Sequence, residues 1–495
     1  MANFMAVVAA MAALLLGAVP APAQPPAWSP RPWLHDLAEA RAAIDSKYAN
    51  LEWLLTERQV DLDALFDRAR AALGNARSDA EAVAIFNRLV QRIGDGHVNL
   101  EWPRPAAAPA AAPVAAPAPA PSPPAPAAES FCRALGYASP SNAAGLAPAL
   151  AGFARTATID LLPVGTIPVA GGRAGIMRIP VFDPHGSIVL CDNAVAALAI
   201  PLDRPCDEAC SNCIITEAYR QLGILMQDRL ARFRNAGARV LIVDITGNGG
   251  GSEWAEAAAR MLSRRPLQSA RLGFVRGPHW ERQWRQLSER LRMAAAGAGP
   301  ADRARLLAWA AEADAARAEA GRRCPPTGDP ACPWLGRGGF ATGLVGRARS
   351  GSFDGKDWAV HVFNPAQHLY RDGAWDGPVI VLTDQETWSA AEQFAALLQD
   401  NGAALILGAR TGGSGCGHTW GGTPTRLTNS GATLELPDCV RFRADGSNEV
   451  RGVIPDLLLP WRANDGGAFR ARMLEAALPE AIERAEALYR QRNSR

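Results

Sequence analysis

The first part of the chain, up to residue 93, carries its apolar residues at the spacing of amphipathic helices. Two stretches with this period predict two helices, and their apolar residues are Leu37, Ile44, Tyr48, Leu51 and Leu55, then Leu62, Leu65, Phe66, Ala69 and Leu73. A third helix is expected from Ser78, because Ser78 and Glu81 have the spacing of a capping box, in which each side chain bonds a free backbone N–H group. We therefore predict a helical N-terminal domain over residues 24–101.

After residue 129 the pattern changes to short apolar runs that alternate with helical stretches. The predicted elements are, in chain order, strand 175–181, helix 215–233, strand 239–244, strand 379–382, helix 389–399 and strand 403–407. Strands that alternate with helices indicate crossover units on a largely parallel sheet. The predicted fold class is therefore α/β, with the core at residues 129–465 and a C-terminal helix at 466–495.

A long, Arg-rich helical insertion interrupts the core at residues 280–323. Four large apolar residues fall on one face of it, namely Trp280, Trp284, Leu287 and Leu291. Such a stripe favours a helical hairpin packed on the core. A lid over a substrate groove is the alternative.

Residues 102–128 are almost entirely Pro, Ala and Ser. This composition cannot bury apolar surface, so we expect an extended, disordered tether between the helical domain and the core, without a function of its own.

The balance of charge excludes one class of partner. The 495 residues include 51 Lys and Arg against 49 Asp and Glu, so no global field favours nucleic acid or an acidic protein. We expect no nucleic-acid partner, and the function must be sought in local chemistry.

The N-terminus predicts export. Residues 6–19 are an apolar run, and Ala21-Pro22-Ala23 has the small-x-small form that signal peptidase reads. We predict a signal peptide at residues 1–23, and a periplasmic or secreted protein without stable membrane insertion after cleavage. The run is shorter than the about 20 residues of a transmembrane helix. No Lys or Arg precedes it, so an uncleaved anchor is the alternative.

Nine cysteines in an exported chain indicate disulfide bonds, and the odd number leaves at least one thiol free or intermolecular. Cys206, Cys210 and Cys213 have the close spacing of a metal cluster, but no fourth ligand of suitable type lies nearby, so disulfides are favoured. Two further candidate pairs, which spacing alone cannot establish, are Cys324 with Cys332 and Cys416 with Cys439. No metal or other cofactor is expected.

The first segment with candidate chemistry is Gly94-Asp95-Gly96-His97, at the end of the helical domain. Two glycines beside the histidine permit an unusual backbone that aims the ring, and histidine exchanges protons near neutral pH. A lone histidine is more often a satisfied surface or core residue. His97 is therefore a candidate only in combination with other groups.

The second segment is a glycine run, Asn248-Gly249-Gly250-Gly251, between a buried strand and a helix. Such a run lets backbone N–H groups converge on an anion. A phosphate site would need a Gly-Lys-Ser/Thr ending or a spaced G-x-G-x-x-G pattern, and neither is present. An oxyanion hole requires the same donors and no lysine.

The third segment is Trp388-Ser389-Ala390, where Ser389 would begin a helix. A serine in this place is commonly only an N-cap. A nucleophile here would gain from the helix dipole, and the N–H of Ala390 would be a second oxyanion donor. The lipase-type G-x-S-x-G elbow is absent, which argues against an α/β-hydrolase.

In their order and context, these segments resemble the tail-specific (C-terminal processing) protease family. The resemblance covers most of residues 33–460 and rests on four motifs, which are Asp244 to Gly251, Thr387-Trp388-Ser389-Ala390-Ala391-Glu392, Gly408-Ala409-Arg410-Thr411-Gly412-Gly413 and Glu449-Val450-Arg451-Gly452-Val453-Ile454-Pro455-Asp456. It implies a crotonase/ClpP-like spiral core, Ser389 as nucleophile, and oxyanion donors from Gly249 or Gly250 together with Ala390. A PDZ domain, which many members carry, is not evident here.

The position of the base distinguishes branches of this family. Members with a Ser-Lys dyad have their lysine in the turn after Thr-x-Gly, but Ser414 holds that place and no lysine follows Ser389. The chain therefore resembles the tricorn-like branch, in which a histidine of an Asp-Gly-His-like segment is the base. This implies His97 as general base and Glu449 as a supporting carboxylate. Tricorn has a serine directly before the base, whereas Gly96 stands here.

The resemblance implies a metal-independent serine endopeptidase of the cell envelope that acts on peptides or unfolded proteins. Two other classes of function are alternatives. Proteins on this scaffold such as interphotoreceptor retinoid-binding protein bind apolar ligands without catalysis, and crotonase-type cores also serve acyl-CoA chemistry. Ser389, His97 and Glu449 together argue against a binding protein, and export to a compartment poor in acyl-CoA argues against the second class.

Overall fold

The computed structural model describes residues 28–103, 127–140, 142–157, 161–325, 331–419 and 424–494. The predicted signal peptide at residues 1–23 lies outside these ranges, as do residues 104–126 of the predicted tether. No helix within the described ranges is long and apolar enough to cross a membrane.

The described residues form helices and strands along the whole chain. The helices are α1 (Arg31–Lys47), α2 (Leu51–Thr56), α3 (Leu62–Asn75), α4 (Asp79–Ile93), α5 (Ala127–Ala134), α6 (Ile188–Ala197), α7 (Glu208–Asn235), α8 (Trp254–Met261), α9 (Pro278–Gly297), α10 (Pro300–Gly321), α11 (Ala359–Val362), α12 (Ala390–Asp400) and α13 (Gly467–Ser494). The strands are β1 (Asn99–Glu101), β2 (Ala154–Ala157), β3 (Val164–Val169), β4 (Gly172–Arg178), β5 (Val240–Asp244), β6 (Arg271–Val275), β7 (Leu335–Phe340), β8 (Val379–Thr383), β9 (Leu405–Gly408), β10 (Thr425–Arg426), β11 (Thr433–Glu435), β12 (Cys439–Phe442) and β13 (Leu457–Leu458).

Four helices, α1 to α4, occupy residues 28–103, where the apolar pattern predicted three. Tyr48 has an extended backbone that ends α1, so the first predicted helix is split in two. The predicted cap at Ser78 is present, because its Oγ accepts the N–H of Glu81 at 3.2 Å. The Glu81 carboxylate accepts the N–H of Arg77 at 2.9 Å, whereas the predicted capping box would use the N–H of Ser78.

The N-terminal helices share their hydrophobic core with later parts of the chain. Their buried residues form one cluster with Val275, Leu427, Leu434 and Val440. This shared core holds the end of α4, and the residues that follow it, against the α/β part of the molecule.

The main sheet has the strand order β13-β9-β8-β5-β4-β3-β2 within the described residues. The four pairings from β13 to β4 are parallel, and the two from β4 to β2 are antiparallel. The α/β class and the largely parallel sheet predicted from the sequence are confirmed. Because β5 and β8 are parallel neighbours, the segments that follow them leave the same edge of the sheet side by side.

Two smaller sheets are antiparallel, with the orders β1-β11-β10 and β12-β6-β7. The predicted insertion forms α9 and α10, and the rings of Trp280 and Trp284 lie 5.0 and 5.6 Å from that of Phe274 on β6. Leu291 is buried with them, whereas Leu287 is only partly buried. The apolar stripe of the hairpin is therefore buried against the core.

Eight of the nine cysteines are paired, as Cys132–Cys191, Cys206–Cys210, Cys324–Cys332 and Cys416–Cys439. Cys213 is free and exposed. The two candidate pairs Cys324–Cys332 and Cys416–Cys439 are present, and Cys206 bonds Cys210 in a disulfide, in agreement with the preference for disulfides over a metal cluster. Cys132 and Cys191 are 59 residues apart, so nothing local in the sequence connects them.

Candidate active site

His97 lies in a turn that begins where α4 ends. Gly94 ends the helix in the left-handed conformation, with φ 71°. The buried carboxylate of Asp95 accepts hydrogen bonds from Tyr48 Oη and Asn50 Nδ2, both at 2.9 Å. It also accepts the backbone N–H of His97 at 3.0 Å. These bonds fix the main chain that carries the imidazole.

The imidazole of His97 contacts Ser389, although the two residues are 292 positions apart in the chain. Its Nε2 lies 3.2 Å from the Ser389 Oγ, and its Nδ1 lies 2.9 Å from the carbonyl oxygen of Ser414. A carbonyl oxygen only accepts, so Nδ1 is the donor, and the neutral ring presents the lone pair of Nε2 to the serine hydroxyl. The residues predicted as nucleophile and base are thus within hydrogen-bond distance.

The face and the backbone of His97 have further contacts. At Gly417, where φ is 75°, an added Cβ would lie 3.0 Å from Cε1 and Nε2 of the imidazole. His418 lies with its ring edge-on at 5.9 Å and its Nε2 3.0 Å from the His97 carbonyl oxygen. Glycine at position 417 is therefore required for the ring to occupy its place.

Ser389 lies in the turn between β8 and α12, in a strained conformation. Its backbone has φ 54° and ψ −118°, a region whose occupation costs about 1–3 kcal/mol for a residue with a side chain. Strain of this kind concentrates at active sites and exposes a nucleophile at a sharp strand-to-helix turn. Because the sequence lacks the G-x-S-x-G pattern, only the backbone reveals this turn.

Glu392 holds the strained turn in place. Its carboxylate is fully buried and accepts the Ser389 N–H at 3.1 Å. It also accepts the hydroxyl of Thr411 at 2.6 Å and the N–H groups of residues 413–414 at 2.7 and 2.8 Å. Burial raises the pKa of this carboxyl, and the hydrogen bonds offset only part of the rise. One side chain thus joins the turn of Ser389 to the segment whose carbonyl binds the His97 imidazole.

The glycine run after β5 approaches the nucleophile closely. Gly250 has φ 112°, and a Cβ added to it would lie 2.7 Å from the Cβ of Ser389 and 3.1 Å from the nitrogen of Ala390. Both the lack of space and the positive φ therefore require glycine at this position.

The predicted oxyanion donors differ in their availability. The N–H of Gly250 donates to Asn248 Oδ1 at 2.8 Å, so this donor is already engaged within the protein, and a contribution of Gly250 to an oxyanion hole stays a prediction. The amide of Asn248 is itself fixed, because its Nδ2 donates to Ile179 O at 2.9 Å. Within the described residues, the N–H groups of Gly249 and Ala390 have no protein acceptor.

The carboxylate of Glu449, which the sequence suggested as a support for the base, makes no hydrogen bond to the imidazole of His97. Its buried carboxylate pairs with Arg441, through Nε at 2.6 Å and Nη2 at 3.0 Å. The imidazole Nδ1, to which a supporting carboxylate would bind, is bonded instead to the carbonyl of Ser414. A buried glutamate requires a cationic or hydrogen-bonding partner, so it pairs with the nearest guanidinium.

Arg441 connects Glu449 to the main chain of Ser389. Its Nη2 donates to the carbonyl oxygens of Ser389 at 3.3 Å and Gly415 at 2.7 Å, and its Nη1 donates to Gln393 Oε1 at 2.7 Å. Sequence reasoning missed Arg441, because no motif marks it. The one available signal was that a buried Glu449 requires a partner.

Ser414 stands where the Ser-Lys members have their lysine. Its Oγ would lie 2.5 Å from a Cβ added at residue 96, so Gly96 leaves room for the serine whose carbonyl orients the base. The two lysines of the chain are engaged elsewhere, since Lys47 donates to Thr425 Oγ1 at 2.8 Å and Lys356 pairs with Asp302.

A cavity of about 370 Å³ opens beside the dyad. Besides Ser389 and His97 its walls include Gly251, Leu272, Ala341, Cys416, Cys439 and Arg441. A second cavity of about 480 Å³ is lined by Gly96, Ser414, Trp388 and residues of β1. The second cavity is lined by Gly96 and Trp388, the residues directly before His97 and Ser389 in the chain.

The surroundings of His97 favour its neutral form. Burial lowers the pKa of His97 from its ordinary value of 6.5, and the positive charge of Arg441 and the neighbouring His418 act in the same direction. The hydrogen bond to Ser414 O and the charge of Asp95 oppose them, but the pKa remains lowered. A base must be unprotonated to accept a proton, so this shift suits His97 to that role near neutral pH.

One group of potential metal ligands occurs in the described chain, formed by His35, Asp36 and Glu39 on α1. The two carboxylates accept the backbone N–H groups of residues 428–430 at 2.7 to 2.9 Å. Their visible role is to attach α1 to this loop.

Residues 221–459 match peptidase family S41. This region is therefore assigned to peptidase family S41. The matched region of the S41 domain contains Ser389, Arg441 and Glu449, whereas His97 precedes it. The family resemblance read from the ordered motifs is thereby confirmed.

Solved structures share the fold of this chain. The crystal structure of mature CPAF is 14% identical, with a TM-score of 0.58 over 92% of this chain and 98% of that one. Mature CPAF complexed with lactacystin is 15% identical, with a TM-score of 0.54 over 93% and 99% of the two chains. At such low identity the likeness is one of fold.

A curated relative matches over a short stretch. An uncharacterized protein of Chlamydia muridarum is 36% identical over 89 residues, which is 18% of this chain. The match spans only 14% of the length of that protein.

Proposed function

We propose that this S41 chain is an exported serine endopeptidase in which Ser389 is the nucleophile and His97 the general base. The observation that carries the proposal is the 3.2 Å approach of His97 Nε2 to the Ser389 Oγ, with Nδ1 held at 2.9 Å by Ser414 O. This arrangement orients the one ring nitrogen that is free to take the hydroxyl proton.

In the first half of the proposed reaction, the Ser389 Oγ attacks the carbonyl carbon of the scissile peptide bond while His97 Nε2 takes the hydroxyl proton. The carbonyl oxygen becomes negatively charged, and the free N–H groups of Gly249 and Ala390 are the donors proposed to stabilise it. His97 then gives the proton to the leaving amine as the C–N bond breaks. Water, activated by the same imidazole, hydrolyses the resulting acyl ester.

Arg441 and Glu449 are proposed as positioning residues rather than as members of a relay. Arg441 bonds the carbonyl oxygens on both sides of the dyad, at Ser389 and Gly415. Glu449 neutralises the buried guanidinium, which would otherwise be uncompensated and would oppose protonation of His97 during the reaction.

The proposed substrates are peptides or unfolded proteins. The cavity beside Ser389 has about 370 Å³, and the second cavity along Gly96 and β1 has about 480 Å³. We propose that an extended substrate chain places side chains in these two cavities, on the two sides of its scissile bond.

Export of this peptidase is proposed from the N-terminal residues 1–23, with their apolar run and small-x-small ending. The four disulfide bonds support it, because such bonds form and persist in oxidising compartments.

The experiment that tests the function uses the chain as a cell exports it. Mass spectrometry of the secreted product should give Gln24 as its first residue, and this product should cleave members of a peptide library that the Ser389→Ala product leaves intact. Retention of Met1 would contradict cleavage of the signal peptide. Binding of retinol without peptide cleavage would favour the binding-protein alternative, and hydrolysis of acyl-CoA thioesters alone would favour the third class.

The pH dependence of turnover should report the state of His97. Because its pKa is lowered by burial, the base is neutral at pH 7 and becomes protonated only as the pH falls through that lowered value. We therefore expect kcat/KM to be constant around neutral pH and to decline on the acid side with a midpoint below about 6.5. A midpoint above the ordinary histidine value in a profile from pH 4 to 8 would contradict the environment described for the base.

A further inference from the structure

The disulfide Cys416–Cys439 forms part of the cavity that contains Ser389 and His97. Cys416 is partly buried and Cys439 is buried. The other three disulfides of the described chain contribute no residue to the walls of this cavity. The Cys416–Cys439 bond is therefore placed to affect the dyad.

The segment around Cys416 contacts the base at three points. The carbonyl oxygen of Ser414 accepts a hydrogen bond from the imidazole Nδ1 at 2.9 Å. Gly417 lies against the ring, so that an added Cβ would be 3.0 Å from Nε2. His418 places its Nε2 3.0 Å from the carbonyl oxygen of His97. The position of residues 414–418 therefore sets the position of the ring.

The segment around Cys439 reaches the same place from β12. Two residues after Cys439, Arg441 donates to Gly415 O at 2.7 Å and to Ser389 O at 3.3 Å. The disulfide thus joins the segment that orients the base covalently to the strand that holds the nucleophile's main chain. Because a disulfide has a specific geometry, it limits the separation of the two segments in addition to the hydrogen bonds.

We propose that the Cys416–Cys439 disulfide is a clamp that positions His97, and that its reduction by a dithiol lowers turnover while the fold persists. The inference rests on the proposed function, because it takes His97 as the base of a serine peptidase. Without the clamp, the carbonyl of Ser414 and the backbone of Gly417 shift relative to Ser389. A displacement of about 1 Å at a catalytic group costs up to about 10²-fold in rate.

The redox step is an exchange with a dithiol such as dithiothreitol. A thiolate of the reagent attacks one sulfur of the disulfide, and the mixed disulfide is resolved by the second thiol of the reagent. Cys416 and Cys439 take up two electrons and two protons and become thiols, while the reagent is oxidised to its cyclic disulfide. The cavity gives a small dithiol access to the bond.

The experiment compares the double variant Cys416→Ser/Cys439→Ser with a matched control, Cys324→Ser/Cys332→Ser, which removes the disulfide between α10 and β7. We expect kcat of the first variant to fall about ten- to a hundredfold with little change in KM, because the base is misplaced while substrate contacts remain. The acid limb of its pH profile should also move. The control should keep the wild-type kcat, and the acid limb of its pH profile should stay at the wild-type position.

Thermal unfolding of both variants separates positioning from a structural role. A disulfide that only stabilises the fold would lower the unfolding midpoint and leave kcat and the pH limb of the folded fraction unchanged, which would overturn the proposal. Should the double variant fail to fold, graded dithiothreitol on the wild-type chain replaces it, with alkylation and mass spectrometry to identify the opened bond. Turnover should fall as Cys416–Cys439 opens and return on reoxidation.

Full turnover with this bond shown to be open would refute the clamp. The outcome is distinguishable from failure of the proposed function. If Ser389→Ala hydrolyses peptides as well as the wild type, the function itself is wrong, whereas an inactive Ser389→Ala beside a fully active Cys416→Ser/Cys439→Ser disproves only the clamp.

Discussion

Ser389→Ala is expected to lower kcat/KM for peptide hydrolysis by a factor of about 10³ or more. The variant keeps the strained turn, the cavity and the free N–H groups but has no oxygen to form an acyl ester. Dyad residues act as one unit, so loss of the nucleophile removes the contribution of the base as well. Peptide turnover measured with the purified chain, together with labelling by a fluorophosphonate probe, checks the result.

The control for this variant is a serine that only caps a helix. Ser78 accepts the N–H of Glu81 at 3.2 Å at the start of α4, so Ser78→Ala should cost about 0.5–2 kcal/mol of stability and leave turnover within a few-fold of wild type. If Ser389→Ala behaved like Ser78→Ala, with residual turnover and undiminished probe labelling, Ser389 would be an N-cap and not a nucleophile.

His97→Ala is expected to cause a loss of similar size, about 10³-fold in kcat/KM. Without the imidazole, the described residues place no other base within hydrogen-bond distance of the Ser389 Oγ, and the hydroxyl at its ordinary acidity is a weak nucleophile. Labelling by the fluorophosphonate probe should slow as well, because that reaction also requires an activated serine. Stopped-flow labelling and peptide turnover measure the two effects.

His185→Ala is the matched control for the base. The imidazole of His185 is likewise hydrogen-bonded through Nδ1, which lies 2.7 Å from Asp183 Oδ1, but it is not part of the cavity beside Ser389. Its removal should leave turnover within a few-fold of wild type. Turnover by His97→Ala at a comparable level would show that another group is the base, and His418, whose ring lies 5.9 Å from that of His97, would be examined next.

The elements that build the site were predictable from local patterns. The apolar runs that became β5 and β8 are fully buried strands, and a helix does start directly after Ser389. The prediction was wrong at Tyr48, where the backbone becomes extended and splits the predicted helix although the apolar spacing continues. The spacing of apolar residues indicates which face of an element is buried, but it does not reveal a single residue at which a helix is interrupted.

The identities of the candidate nucleophile and base were also accessible, because only certain side chains can perform these steps and the ordered motifs restricted the choice to Ser389 and His97. The partners of those side chains were not accessible. The carboxylate of Glu449 binds Arg441 and not the imidazole, and the N–H of Gly250 is occupied by Asn248. Such pairings depend on distances of a few tenths of an ångström.

The sequence by itself therefore determined the helices, the parallel strands, the glycine run and the residue types able to attack, accept a proton and stabilise an anion. Only the tertiary structure decided that Ser414 O binds the His97 imidazole, that Glu392 and Arg441 hold the turn of Ser389, and that one disulfide borders the cavity. The physical reason is that periodicity and residue chemistry are local properties, whereas hydrogen bonds join atoms that are near in space and, as with His97 and Ser389, 292 residues apart along the chain.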